Sequence, residues 1–149
     1  MAVSDVIAAE RAIKWRIFSA VILSFGLLAN FANIYFATPG SAWAIQHLIV
    51  GPLIAAMLLA MLSEGFEQVW SKRPIVRGLI GDESTHENRI KARSLGFFSA
   101  VFAGVLLIFI APIINMPANR AAHCIAVIAL AVAGMRFGWL EQRALNPAS

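Results

Sequence analysis

Along this chain apolar residues do not recur at intervals; they fill whole stretches, about 17–37, 43–63, 95–115 and 121–140, and charge is confined to what lies between. Each stretch is close to the roughly 20 residues an α-helix needs to cross a hydrocarbon core about 30 Å thick. Helix is the expected form, because lipid offers no partner to backbone N–H and C=O groups, and only a helix or a closed barrel pairs them all internally. Four transmembrane helices are therefore predicted, and an even number returns both termini to one side. The connections from Thr38 to Ala42 and from Asn115 to Arg120 are short and rich in Pro, Gly and Asn, so the spans read as two helical hairpins. Pro52 and Pro112 fall inside spans two and three and are expected to kink them.

Outside the spans the pattern changes. Residues 1–16 alternate Val6, Ile7 and Ile13 with Asp5, Glu10, Arg11 and Lys14, the pattern of an interfacial helix running into span one, with Glu10 and Lys14 at favourable i, i+4 spacing. The apolar run that follows is too long for a signal peptide, so it is expected to stay in the membrane. Residues 64–94 form the one sizeable connection. Span two is expected to continue as helix through "EGFEQVW" and to end before Pro74. A new helix then begins near Ser84, where Ser84 and Glu87 have capping-box spacing, Asp82 and Glu83 favour the positive end of the dipole, and Glu87 and Lys91 are placed to pair. Nothing interrupts it before Leu95 opens span three.

Composition agrees with the pattern: 60% of residues are hydrophobic and 13% charged, against roughly 45–50% and about 25% in ordinary globular domains. The whole of 1–149 thus reads as a single integral membrane domain, all-α, whose first partner is the lipid bilayer. The formal charge of +4 does not mark a nucleic-acid surface, because the bases form no stripe; they flank the spans. Every Lys and Arg except Arg120 lies on the side that holds both termini and the 64–94 connection. Cytoplasmic flanks are the ones enriched in these residues, so both termini are expected in the cytoplasm. The lone Cys124 excludes an internal disulfide.

The two hairpins resemble each other. "FSAV" at 18–21 returns at 98–101, and "AIQHLIV" at 44–50 is answered by "RAAHCIA" at 120–126, which sets His47 and His123 at matching places in spans two and four. Since each hairpin enters and leaves on one side, the copies would be parallel repeats about an axis along the membrane normal.

Candidate chemistry is sparse. Two imidazoles at one depth on two helices are how a membrane b-type haem is held, and Asn30, Asn33, Gln46, Asn115 and Arg120 add polar groups at that level, where a quinone head could be gripped. The competing reading is that these groups hydrogen-bond across helix ends and to interfacial water. Cys124 follows His123 directly and diverges from it by roughly 100° on a helix, so no metal site is expected. No span carries a mid-span Asp or Glu, which tells against a proton-coupled carrier such as a small multidrug antiporter. Glu64 and Glu141 read as solvated helix ends, and Arg136 as a side chain snorkelling to the interface. Small residues at four-residue spacing, Ala100 with Gly104, Ala129 with Ala133 and Gly134 with Gly138, predict close helix packing. No nucleophile elbow, P-loop or dinucleotide fingerprint is present.

"DESTHENRIKA" at 82–92 resembles the Asp-Glu-Leu-Thr-x-x-x-Arg-x-x-Ala segment of small four-span bacterial inner-membrane proteins of unknown function: Asp82, Glu83, Thr85, Arg89 and Ala92 match, and Ser84 replaces the leucine. The resemblance implies an inner-membrane protein, some of whose relatives accompany small cytoplasmic regulators. The expectation is a non-enzymatic protein acting through protein contact, as membrane partner of a regulator or accessory subunit of a complex, or through a homo-oligomer. Its docking residues would be Asp82, Glu83, Thr85, Glu87, Arg89 and Lys91. The alternatives are a haem- or quinone-binding electron-transfer subunit using His47 and His123, and a small transporter.

Overall fold

The computed structural model describes residues 3–36, 42–63 and 83–146, with 33–36 and 42–48 described as backbone only. Four helices account for nearly all of them: α1 (Val3–Phe36), α2 (Ala42–Leu62), α3 (Glu83–Ile113) and α4 (Ala118–Leu145). No strand occurs among the described residues. α1, α3 and α4 are long and apolar enough to cross a membrane; α2 is a shorter apolar helix of 21 residues.

α2 coincides with its apolar stretch, α1 and α3 end close to where theirs end, and α4 covers its own with a few residues more at either end. α1 runs unbroken through the expected junction between interfacial segment and span, and α3 runs unbroken from its charged start into its apolar length. Between α3 and α4 the chain reverses at Asn115, whose φ of 51° is left-handed, a conformation Asn tolerates better than most residues. Pro117 then precedes the first turn of α4 as its N-cap. Pro52 and Pro112 both lie within helical residues. The expected helical extension through residues 64–73 lies outside the described residues. The helix expected to start near Ser84 is present from Glu83. Within its first turns Glu87 reaches forward to Lys91 at 2.6 Å.

α4 is the centre of the bundle. It packs along α3 and along α1, while α2 packs on α1 and touches α4 less. Among the described residues α2 and α3 have no comparable packing; an open groove floored by Ala129 and Ala133 of α4 separates Leu59 and Leu62 from Gly96 and Phe97. A two-fold relation between hairpins would make the α2–α3 contact equal to the α1–α4 contact, so the packing is centred on one helix rather than evenly shared.

Small residues explain why α4 holds that place. A Cβ at Gly138 would meet Val21 Cγ2 at 2.9 Å and the Ile17 carbonyl at 3.4 Å, and one at Gly134 would meet Ser24 and Leu58. Gly96 of α3 approaches the Ala129 carbonyl and Ala133 Cβ so closely that an added Cβ would lie 2.8 Å from both. The predicted Ala129/Ala133 and Gly134/Gly138 spacings thus mark real crossings. The third, Ala100/Gly104, does not: a Cβ at Gly104 would meet only Ile125 Cδ1, at 3.7 Å.

The interior divides into two levels. Leu27, Leu58 and Val127 form one apolar cluster, and Ala20, Met61, Leu62, Ala92, Ala133 and Phe137 form the other, joining all four helices. Outward-facing positions are as apolar as the inside: Phe97, Phe98, Phe102, Ile108 and Phe109 of α3 are each more than half exposed. Buried positions meanwhile include Arg16, Ser24, Asn30, Thr85, Asn88, Arg89 and Glu141. Apolar surface outside and polar side chains inside is the distribution that a hydrocarbon solvent selects.

Candidate functional site

Among the described residues the largest fully buried side chain is a charged one, Arg16, at 0% exposure. Its position follows from helical spacing: Ala9, Arg16, Ala20, Ser24, Leu27 and Asn30 are the buried residues of α1, a stripe at intervals of three, four and seven that faces the bundle. On α3 the equivalent stripe is Thr85, Asn88, Arg89, Ala92, Gly96 and Ala103, and on α4 it ends in Phe137, Gly138 and Glu141. Where the three stripes approach the same end of the bundle they carry polar members: Arg16 on α1, Thr85 and Asn88 on α3 and Glu141 on α4.

These side chains meet. Arg16 Nη2 forms an ion pair with Glu141 Oε2 and also donates to Thr85 Oγ1 at 3.1 Å. Asn88 Nδ2 donates to the other carboxylate oxygen, Glu141 Oε1, at 3.0 Å. The guanidinium carbon of Arg16 lies 5.6 Å from the centre of the Phe137 ring, adding a cation–π contact. One carboxylate thus joins α1, α3 and α4 through charge-assisted bonds, at a point where its exposure is 3%. Arg89, also 3% exposed, is the neighbour of Asn88 on the same face. Removing such charges from water costs several kcal/mol per ion, so a fold retaining them gains what apolar packing cannot supply: a unique set of partners that fixes which helix faces meet.

The docking residues expected from the sequence divide sharply. Thr85 and Arg89 are buried, whereas Glu83, Glu87 and Lys91 are exposed, and Asp82 lies outside the described residues. The matched positions Thr85, Arg89 and Ala92 therefore compose the inward face of α3. On the outward face Lys91 pairs with Glu87; its ammonium, by hydrogen bond and charge, holds the Glu87 carboxyl below its ordinary pKa. Glu10 and Lys14 repeat the arrangement on α1 at 2.7 Å, with the same effect on Glu10.

A correction concerns Glu141. Its place at the end of a span reads as a solvated terminus, yet it is buried, because Arg16 and Asn88 approach from two other helices. Arg16, Asn88 and Glu141 are the residues that sequence reasoning misses. The available signal was register: Arg16 stands four residues before Ala20 and Glu141 three after Gly138, both on the small-residue seam.

The second candidate constellation is only partly visible. His123 is half-buried, with its ring edge-on to Phe31 of α1 at 5.4 Å. Asn30 is 5% exposed, and its Nδ2 would lie 2.5 Å from a Cβ at Gly51, so α1 and α2 cross closely there. The side chains of His47, Gln46 and Asn33 lie outside the described residues. Arg120 is exposed in the first turn of α4. Among the described residues no three His, Cys, Asp or Glu side chains gather as a metal site would require.

Compared with family models, with curated proteins and with solved structures, the chain gives no significant match. Among the described residues the network consists of one carboxylate, one buried arginine and two neutral hydrogen-bonding side chains, Glu141, Arg16, Thr85 and Asn88, with no nucleophile poised against a base; what it does physically is hold three helices in register.

Proposed function

We propose that this chain is a non-enzymatic, four-span membrane protein that presents the charged start of α3 to a protein partner on the cytoplasmic side of a bacterial inner membrane. The observation that supports this most directly is the two-faced character of that helix start. Its inward face, Thr85, Asn88, Arg89 and Ala92, is packed into the bundle and tied to Arg16 and Glu141. The outward face leaves Glu83, Glu87 and Lys91 in solvent. A helix anchored in this way loses little conformational freedom on binding, and such preorganisation is what makes a small charged surface an effective docking element.

The concentration of basic residues at this end supports the cytoplasmic orientation. The partner is a cytoplasmic regulator or a larger membrane complex. Charge reversal on the outward face alone, E83K/E87K/K91E, is the test, because it leaves every buried contact in place. The variant is expected to insert and melt like wild type while losing the proteins that co-purify with wild type in mild detergent. An unchanged set of co-purifying proteins, with stability also unchanged, would overturn the docking reading.

A further inference from the structure

On the outer surface of α4, Trp139 stands 46% exposed between two arginines of the same helix face. The Arg136 guanidinium carbon lies 4.4 Å from its ring centre and that of Arg143 lies 5.5 Å away. Positions 136, 139 and 143 follow the i, i+3, i+7 spacing that aligns side chains along one face. Among the described residues neither arginine meets a carboxylate: the ion pairs there are Glu10–Lys14, Arg16–Glu141 and Glu87–Lys91. Beside the ring, Trp139, Gln142, Arg143 and Asn146 line a recess whose surface is about half polar.

Two like charges drawn onto one indole repel each other, and an anion between or beside them offsets that repulsion. The position limits what that anion can be. Arg136 is half-buried within the apolar length of α4, whereas Arg143 is exposed in the last turn. The pair therefore spans from the hydrocarbon edge to the headgroup layer, with an interfacial tryptophan between them. Lys and Arg near a membrane surface attract anionic lipids, and guanidinium is the side chain whose fork fits a phosphate.

We infer that Arg136, Trp139 and Arg143 form a binding site for the phosphate of one anionic phospholipid in the leaflet at the basic end of the bundle. The guanidiniums hold the phosphate, Gln142 and Asn146 offer amide donors beside it, and the tryptophan ring keeps both cations at the interface. This site is on a different helix face from the α3 surface proposed for docking, and its test does not depend on that reading.

The full-length protein, purified in mild detergent with phosphatidylglycerol or phosphatidylcholine added, is examined by native mass spectrometry for retained lipid. Wild type is expected to retain phosphatidylglycerol in clear preference to phosphatidylcholine. R143Q should weaken retention about fivefold and R136Q/R143Q about thirtyfold, at the usual contribution of one interfacial arginine. R11Q/R93Q removes two charges from the same end without touching Trp139 and should retain the lipid as wild type does. R143Q changes an exposed residue, so it keeps the test decisive if the double variant does not fold. Equal retention of both lipids, full retention in R143Q, or an equal loss in R11Q/R93Q would overturn the site. Displacement of the lipid by millimolar inorganic phosphate would assign the arginines to a free anion instead.

Discussion

Replacing Glu141 with glutamine removes the carboxylate that joins α1, α3 and α4 in the buried network while keeping the side chain's size. Arg16 then stays at 0% exposure without the carboxylate charge that Glu141 supplies, and breaking a buried pair from one side costs about 3–5 kcal/mol. Glutamine can still accept from Asn88 and, more weakly, from Arg16, so the expected loss is near the lower bound, about 3 kcal/mol. Arg16→Met leaves the carboxylate with Asn88 as its remaining donor in the network, and should cost about 4 kcal/mol. The double variant R16M/E141Q removes both members of the pair together, so neither is stranded by the loss of the other. It should cost only about 2 kcal/mol, from the hydrogen bond that Thr85 no longer accepts from Arg16 and imperfect packing against Phe137. Reversible unfolding in mixed micelles, followed by circular dichroism, measures all three. The coupling expected is several kcal/mol in the direction that makes the double variant milder than either single one. Additive losses, agreeing within about 0.5 kcal/mol, would show that the two side chains do not act on each other.

Other consequences are equally specific. Gly96→Ala places a methyl 2.8 Å from the Ala129 carbonyl and should destabilise by about 1–3 kcal/mol; Gly104→Ala, with its nearest contact at 3.7 Å, should be neutral or slightly stabilising, and equal losses would contradict the packing. Lys91→Met should raise the Glu87 carboxyl toward its ordinary value, read by carbon NMR titration. Because that pKa is depressed in the folded protein, the pair's contribution is present above the ordinary carboxylate pKa and lost as pH falls through the folded value. An unchanged midpoint in the variant would mean that the pair does not form in solution. If His47 and His123 held a haem, the purified protein would show a Soret band that shifts on reduction; the docking account expects none.

Much of this architecture is written in local pattern. Lipid-length apolar runs delimit the helices, since a span must satisfy its whole backbone internally, and the pairs Glu10–Lys14 and Glu87–Lys91 follow from spacing on a single helix. The Gly and Ala seams of α4 were legible for the same reason. What escaped is set by neighbours distant in the chain. A glutamate at a helix end is ordinarily solvated, and nothing near position 141 shows that Arg16, 125 residues away, closes over it. Gly96 and Gly104 look alike as letters, yet only the first meets a facing backbone. The segment 82–92 reads as one polar surface until the helix divides it. Thr85, Asn88, Arg89 and Ala92 repeat at three and four and turn inward, leaving Glu83, Glu87 and Lys91 outside.

That division is the centre of the account, and site-specific photo-crosslinking in living cells examines it directly. A photoreactive residue placed at Glu87 should give a discrete protein adduct, and the same residue at the outward, apolar position Phe102 should give none of that mass. Loss of the Glu87 adduct in the E83K/K91E background would tie capture to the outward charges. No adduct at Glu87, or the same adduct from Phe102, would contradict the reading of the α3 start as a docking face.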